Sequence, residues 1–395
     1  MQAVGEKPVS FEDYICDDGK GFGPYKIKCT MWREAEQVIL DFDGTDPQSA
    51  ASINFLLNEN MFKMFFGIYM IMVFDPQILT NDGFYDLIEV RIPKGSLLKP
   101  QYPAALSGRT HALGRIFDIL GGLLGQGTPE FLNAAGFSSS PHLFYSGWDN
   151  RDKSSREWFQ LFQIGFGGIP GRPLGDGPDG HSLWPGFTNV PNEFLERYFP
   201  LRIETYATEP DSGGAGLHRG GNGIRMTYRF LADGEIAIHD DRWFVPPWGV
   251  NGGHPGKRAK KVLERADGSQ QIVGNKVEDV PVKEGDLLHF ITWGGGGWGD
   301  PLERDPELVG LEIRQGLATV EGAKDYGVIA DEDGIIDVAE TDALRSKMRS
   351  ERGELPLFDY GPGIEALRET CEEETGLPAP IQPVWHKQEF SEAAE

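Results

Sequence analysis

Residues 210–243 read PDSGGAGLHRGGNGIRMTYRFLADGEIAIHDDRW. A glycine-dense loop runs into two segments of alternating character. Ile224, Met226, Tyr228 and Phe230 share one face of the first, Ile236 and Ile238 one face of the second, and Asp233-Gly234 supplies a turn between them. A period of two marks a strand with one buried face, and Asp-Gly is a favoured reversal. The pattern continues outward. Residues 201–206 precede the loop, 262–265 and 270–273 flank Ala266-Asp267-Gly268 as a hairpin, and 286–293 give another strand. Residues 199–301 are therefore expected to form an antiparallel sheet or sandwich.

Upstream, residues 25–31 and 37–42 flank Glu34-Ala35-Glu36 as a second hairpin. Residues 54–74 are apolar and free of proline until Asp75-Pro76, which predicts a buried helix. A strand is expected at 87–92 and a helix at 110–124, with Leu113, Ile116, Leu120 and Leu123 on its inner side. Residues 163–198 carry so many turn formers that a long irregular loop is expected. Beyond Pro301 the chain turns helical, at 306–315, 341–348 and 364–374, the last stopping at Gly376. Residues 331–395 hold 17 acidic and six basic side chains, a pattern of a solvated tail or one lying on a partner. The reading is an α+β chain, β-rich in antiparallel sheets, with a few buried helices and a helical acidic C-terminal segment. Its expected divisions are 1–162, the loop 163–198, a β region 199–301, and 302–395.

The whole chain has 395 residues, 37 basic and 61 acidic, for a formal charge of −24. That charge repels nucleic-acid phosphates and anionic lipid faces, so neither is an expected partner. The longest apolar run, residues 64–74, is 11 residues, whereas a membrane span needs about 20. The N-terminus lacks the basic-then-apolar order of a secretory signal. Cys16, Cys29 and Cys371 are odd in number and show no CxxC spacing, against a disulfide framework or a Cys-rich zinc site. A reducing cytoplasm is the expected compartment.

Common catalytic signatures are absent. Gly214-x-Gly216 is followed by Arg219 where a dinucleotide fingerprint needs glycine, and no P-loop lysine motif, GxSxG or HExxH occurs. Nucleotide binding by this chain alone is not expected. Three glycine-rich stretches stand out. In 211–223, Arg219 offers a planar two-pronged donor for an anion, beside His218, or it pairs with a local acid. In 239–256, His239, Asp240, Asp241 and Arg242 leave the end of a strand together. Adjacent strand positions face opposite ways, so a metal site confined here is not expected, while Asp240 and Arg242 share a face and read as a salt bridge. In 294–297, four consecutive glycines between Trp293 and Trp298 imply close packing against another chain or a substrate. His181, in the irregular loop with Ser182, Trp184, Thr188 and Asn189, is the histidine to test as a proton-transfer group, against a plain loop hydrogen bond. His111 reads as a cap or core group, and His142 and His289 as structural.

Taken in order, DFDGTDPQ (41–48), PKGSLLKPQYPAA (93–105), FTNVPNEFLERYFPLRIETY (187–206), PDSGGAGLHRGGNGIRMTYRFL (210–231), DDRWFVPPWGVNGGHPG (240–256) and GGGGWGDPLERDPELV (294–309) resemble the hydantoinase B/oxoprolinase family. HSLWPGFTNVPNEFLE and the HDDRW strand end look closer to its ketone-carboxylase branch, that of the acetone and acetophenone carboxylase large subunits. The resemblance implies a subunit of an ATP-dependent complex, in which a hydantoinase A-like ATPase phosphorylates a carbonyl or amide oxygen. In the ketone carboxylases the activated enol then reacts with bicarbonate, and in the hydantoinase and oxoprolinase enzymes water opens a ring. A non-catalytic scaffold role is the remaining alternative. ATP and a divalent metal (Mg, Mn or Zn) are expected on partner chains. Family members usually begin with a further region carrying a His and Asp metal cluster; Met1 aligns near the middle of that pattern, so either a separate chain supplies it or the chain is a truncated product, and no metal ligand is assigned here. Candidate catalytic residues are His181, Asp240 and Arg242, and candidate substrate or anion binders are His218, Arg219 and Asp241.

Overall fold

The computed structural model describes residues 4–385 apart from 74–76, 78–80, 129–131, 137–140, 153–155 and 182–187. Asp75-Pro76, Ser182 and Trp184 lie outside the described residues. Strands β1 (Val9–Ile15), β2 (Tyr25–Glu34) and β3 (Gln37–Asp41) form an antiparallel meander, with β2 and β3 as the expected hairpin. Helix α1 (Glu59–Val73) then carries the chain across so that β4 (Ile88–Arg91) joins parallel to β3. A parallel neighbour requires such a crossover. Helix α2 (Thr110–Gly127) packs across β1 and β2 and is buried from His111 to Gly125. Its apolar side and the sheet share a core that includes Ile27, Met31, Leu40, Phe42, Phe62, Ile116 and Leu120.

The chain continues through β5 (His142–Asp149), β6 (Glu157–Ile164), α3 (Asn192–Tyr198), β7 (Leu201–Thr208), β8 (Ile224–Phe230) and β9 (Gly234–His239). There follow β10 (Gly249–Val250), β11 (Lys260–Glu264), β12 (Gln270–Ile272), β13 (Lys276–Val282) and β14 (Leu287–Ile291). Two antiparallel sheets, ordered β12-β11-β14-β8-β7 and β13-β9-β5-β6, close on a common core of Tyr145, Phe159, Tyr228, Phe230, Ile238, Leu263 and Phe290. This is the expected sandwich, with two differences. The Asp233-Gly234 turn does not pair β8 with β9 but passes the chain from one sheet to the other. Strands β5 and β6 come from ahead of residue 199. They escaped the alternation test because both of their faces are apolar: Phe144, Trp148, Trp158 and Phe162 lie on the outer face, with the two Trp rings 5.4 Å apart.

Beside the sandwich, the glycine stretches at 167–177, 213–223, 249–256 and 294–297 run alongside one another with no regular element but the two-residue β10. They bond backbone to backbone: Gly171 N to Gly296 O at 2.8 Å, Gly214 N to Gly295 O at 2.8 Å, Gly295 N to Gly221 O at 2.9 Å and Gly297 N to His254 O at 2.9 Å. A methyl group added at Gly168 would overlap Gly221 O, and one at Gly294 would overlap Ser212 O. The close partner of the four-glycine run is thus this chain's own backbone. Main chains can approach this closely only where side chains are missing.

The C-terminal helices form where expected, as α4 (Pro306–Arg314), α5 (Val338–Glu351) and α6 (Ile364–Thr375). Asp305 caps α4, and α6 ends on left-handed Gly376. Helix α5 buries only Thr341, whereas α6 packs Leu367 and Cys371 onto Trp243, Phe244 and Val245. A two-residue strand, β15 (Phe358–Asp359), pairs with β10. The acidic segment therefore folds partly onto its own chain. All three cysteines are buried free thiols. Among the described residues no helix is long and apolar enough to cross a membrane.

Candidate functional site

Strand β9 ends at His239, and the next three residues turn inward together. Arg242 has φ 59, in the left-handed region that a side-chain-bearing residue rarely adopts. Strand alternation therefore fails here, and Asp240, Asp241 and Arg242 are all 0% exposed. The salt bridge expected between Asp240 and Arg242 does not form. Arg242 forks onto Asp13 at 3.0 and 2.6 Å and also reaches Asp118 at 2.8 Å. Asp240 takes Lys261 Nζ at 2.6 Å. Asp241 accepts from Lys276 Nζ at 2.7 Å, from Cys16 N at 3.1 Å and from Arg115. Trp248 Nε1 donates to Asp13 at 3.2 Å, and Trp243 Nε1 donates to Asp17.

These bonds tie β1, α2, the 240–248 segment and β13 into one buried ionic network. A buried charge is tolerated only when paired and hydrogen-bonded. Burial works to raise the Asp241 pKa, but Lys276 and Arg115 outweigh it and hold the carboxyl below its ordinary range. Burial raises Asp118 and Asp240 against Arg242 and Lys261 respectively, and it lowers Lys261. The sign for Asp241 follows: its depressed folded pKa adds stability above the unfolded value of about 4, lost as pH falls further. Asp118 and Asp240 act in the opposite sense. Asp241→Asn is accordingly expected to lose stability at pH 7 and to show a shallower decline than the parent between about pH 5 and pH 3. Thermal melts of both proteins across that range check this; parallel declines would refute it.

Lys276 also lines a cavity of about 570 Å³ with His111, His239, Asp18, Glu278 and Asp279, closed on one side by residues 50–53 and by Gly108. His111 is 1% exposed, and burial, followed by the Lys276 charge, holds its pKa well below the ordinary value. Burial also lowers His239, opposed by Glu278, whose Oε1 lies 3.7 Å from Nε2. Across the ladder from His239 stands His142, which burial brings down to about 4. Two imidazoles favouring their neutral forms, a charged lysine and a carboxylate thus face one chamber, a combination suited to proton transfer on a small polar compound.

The remaining candidates lie elsewhere. Arg219 bonds Glu312 at 2.6 Å and Asp179 at 2.6 and 2.9 Å, while Arg304 joins Asp176 and Glu312, locking the 176–179 loop to α4. The His218 ring lies tilted against Trp298 with centroids 5.6 Å apart, and its Nδ1 is 3.9 Å from Asp176. His181 is exposed and held through its backbone N–H to Gly167 O at 2.9 Å. Sequence reasoning passed over Asp13, Arg115, Asp118, Lys276 and the cavity role of His111. One signal was available: Arg115 and Asp118 are the only charges within the apolar stretch 110–125. Among the described residues, no group of three or more His, Cys, Asp or Glu side chains is placed to hold a metal ion. The carboxylates of the ionic network, Asp13, Asp118, Asp240 and Asp241, are already committed to Lys and Arg.

An uncharacterized protein of Methanocaldococcus jannaschii is 31% identical over 314 residues, which are 78% of this chain and 54% of that protein. The caprolactamase subunit beta of Pseudomonas jessenii is 26% identical over 349 residues, 84% of this chain and 58% of that subunit. The crystal structure of that ATP-dependent caprolactamase matches 87% of this chain and 60% of its own, with TM-score 0.73 at 23% identity. The nucleotide-free structure of acetone carboxylase, from work on ATP-dependent acetone carboxylation, matches 94% of this chain and 56% of its own, with TM-score 0.74 at 20% identity. The chain thus spans little more than half the length of these relatives. The hydantoinase B/oxoprolinase profile covers residues 1–301, and with the mixed fold and the ordered glycine motifs in agreement, the chain belongs to the hydantoinase B/oxoprolinase family.

Proposed function

We propose that this chain is a subunit of an ATP-dependent, multi-subunit ketone carboxylase, which joins bicarbonate to a phosphorylated enol. The cavity walled by His111, His239 and Lys276 is the observation that carries this reading: a chamber for a small carbonyl compound beside a rigid ionic floor. Activation by phosphate makes a poor leaving oxygen a good one, and a chamber poor in water protects the product of that activation. The branch motifs HSLWPGFTNVPNEFLE and HDDRW support carboxylation.

A second reading, ATP-dependent hydrolysis of a cyclic amide, is favoured by the sequence relationship to caprolactamase subunit beta. Under both readings a hydantoinase A-like subunit phosphorylates the substrate, and ATP and a divalent metal (Mg, Mn or Zn) sit on companion chains. Assembly takes place in the cytoplasm. Asp240, Asp241 and Arg242 then serve as the fixed floor, Arg219 holds the 176–179 loop against α4, and the exposed His181 and the partly exposed His218 face those companions. The assembled complex, given ATP, labelled bicarbonate and acetone or acetophenone, is expected to fix label into a carboxylic acid. Absence of label together with ATP-dependent opening of caprolactam, a hydantoin or 5-oxoproline would replace the first reading by the second.

A further inference from the structure

We propose that His239 is the catalytic base of the cavity, taking a proton from a small carbonyl compound, with Glu278 as its positioning residue; this rests on the function proposed above. Three geometric observations carry it. First, His239 sits where the 570 Å³ cavity meets a smaller groove of about 240 Å³ lined by Phe144, Ser146 and Gln160, so its ring stands at the junction of a large half-open cavity and a shallower groove that opens further to solvent. A base that must reach substrate and then discharge its proton to water needs such a position.

Second, the partner carboxylate is delivered by an irregularity in the sheet. The β13–β9 register shifts between Val277 and Val280, and Asp279 adopts φ 55. This bulge sets Glu278 beside His239, Oε1 to Nε2 at 3.7 Å. Bulges re-aim side chains in this way at functional sites. Third, the Phe144 ring meets the imidazole edge-on at 5.2 Å and fixes its plane. With Nε2–H turned toward Glu278, Nδ1 carries the lone pair.

Nδ1 takes the proton from the carbon next to the ketone carbonyl, and the C–H electron pair becomes the C=C of the enol. The carbonyl oxygen takes up the displaced charge and receives the phosphoryl group from ATP, with ADP leaving. The imidazolium is held by Glu278 and returns its proton to water through the groove. In a cyclic-amide reaction the same nitrogen would deprotonate the attacking water, whose oxygen bonds to the activated carbon. The groups that set the imidazole's charge are Glu278, Lys276 and Asp279 on β13, His142 on β5, and His111 across the cavity on α2.

The test compares the assembled complex carrying His239→Gln, Glu278→Gln or Glu278→Asp with the parent. His239→Gln is expected to lower kcat about 100-fold or more while complex assembly and melting temperature hold. Glu278→Gln should shift the pH–rate profile to lower pH, because the carboxylate favours the imidazolium, and Glu278→Asp should restore part of the rate. Turnover of His239→Gln within threefold of the parent would overturn the assignment. A second measurement does not depend on turnover: the His239 imidazole proton resonance of the isolated chain, assigned by its loss in His239→Gln, should move on titration with acetophenone or caprolactam. A parent complex inactive on ketones and on cyclic amides would refute the functional reading alone; an unmoved His239 resonance would refute this inference.

Discussion

Arg242→Met is expected to destabilise the protein by about 3–5 kcal/mol, the cost of breaking a buried ion pair by removing one partner. The methionine fills most of the guanidinium's volume but leaves Asp13 and Asp118, both buried, without the shared cation they face. Asp118 already binds its proton more tightly than an ordinary carboxyl because of burial, so part of the loss is recovered by protonation. Asp13 also accepts from Trp248 Nε1. Since a domain's whole stability is about 5–15 kcal/mol, the variant should melt far below the parent or fail to accumulate. Adding Asp118→Asn, which removes one of the two carboxylates facing the lost guanidinium, is expected to restore about 1–2 kcal/mol. Urea denaturation of the three proteins checks both statements. Arg242→Met within 1 kcal/mol of the parent would show that the network is dispensable.

Gly294→Ala is the second substitution with a large expected effect, and a single methyl causes it. The added carbon would overlap Ser212 O, a main-chain atom that cannot rotate away and that already accepts from Lys257 N at 2.8 Å. Gly294 N is itself bonded to Lys257 O at 3.1 Å, so both walls of the contact are pinned. Overpacking by a methylene costs about 1–3 kcal/mol where side chains can give; here backbone must move, and a loss of about 3 kcal/mol or more is expected. Gly175→Ala is the control. Its added methyl meets nothing within 4 Å, and its stability should change by no more than about 0.5 kcal/mol. Equal melting temperatures for the two variants would mean that the glycine block is looser than its hydrogen bonds indicate.

Much of the scaffold was legible because its signals are local. The β2–β3 hairpin, the alternation of β8, the β11–β12 hairpin and the Gly376 stop of α6 each depend on residues within one or two turns of chain. Strands β5 and β6 were not, since aromatic residues on both faces erase the period of two. The parallel docking of β4 and the passage of the chain between sheets at Gly234 depend on which sheet receives a strand, and no local pattern records that.

Composition and ordered motifs determined that the chain is an acidic α+β member of this family, rich in glycine, because patterning and motif order are properties of the string itself. Only the folded chain decided what those residues do. Arg242 finds Asp13 across 229 positions and Asp118 across 124, and Arg115 finds Asp241 across 126. Ionic partners are chosen by proximity after collapse and by the need to neutralise charge away from water, and that choice set the cavity's chemistry.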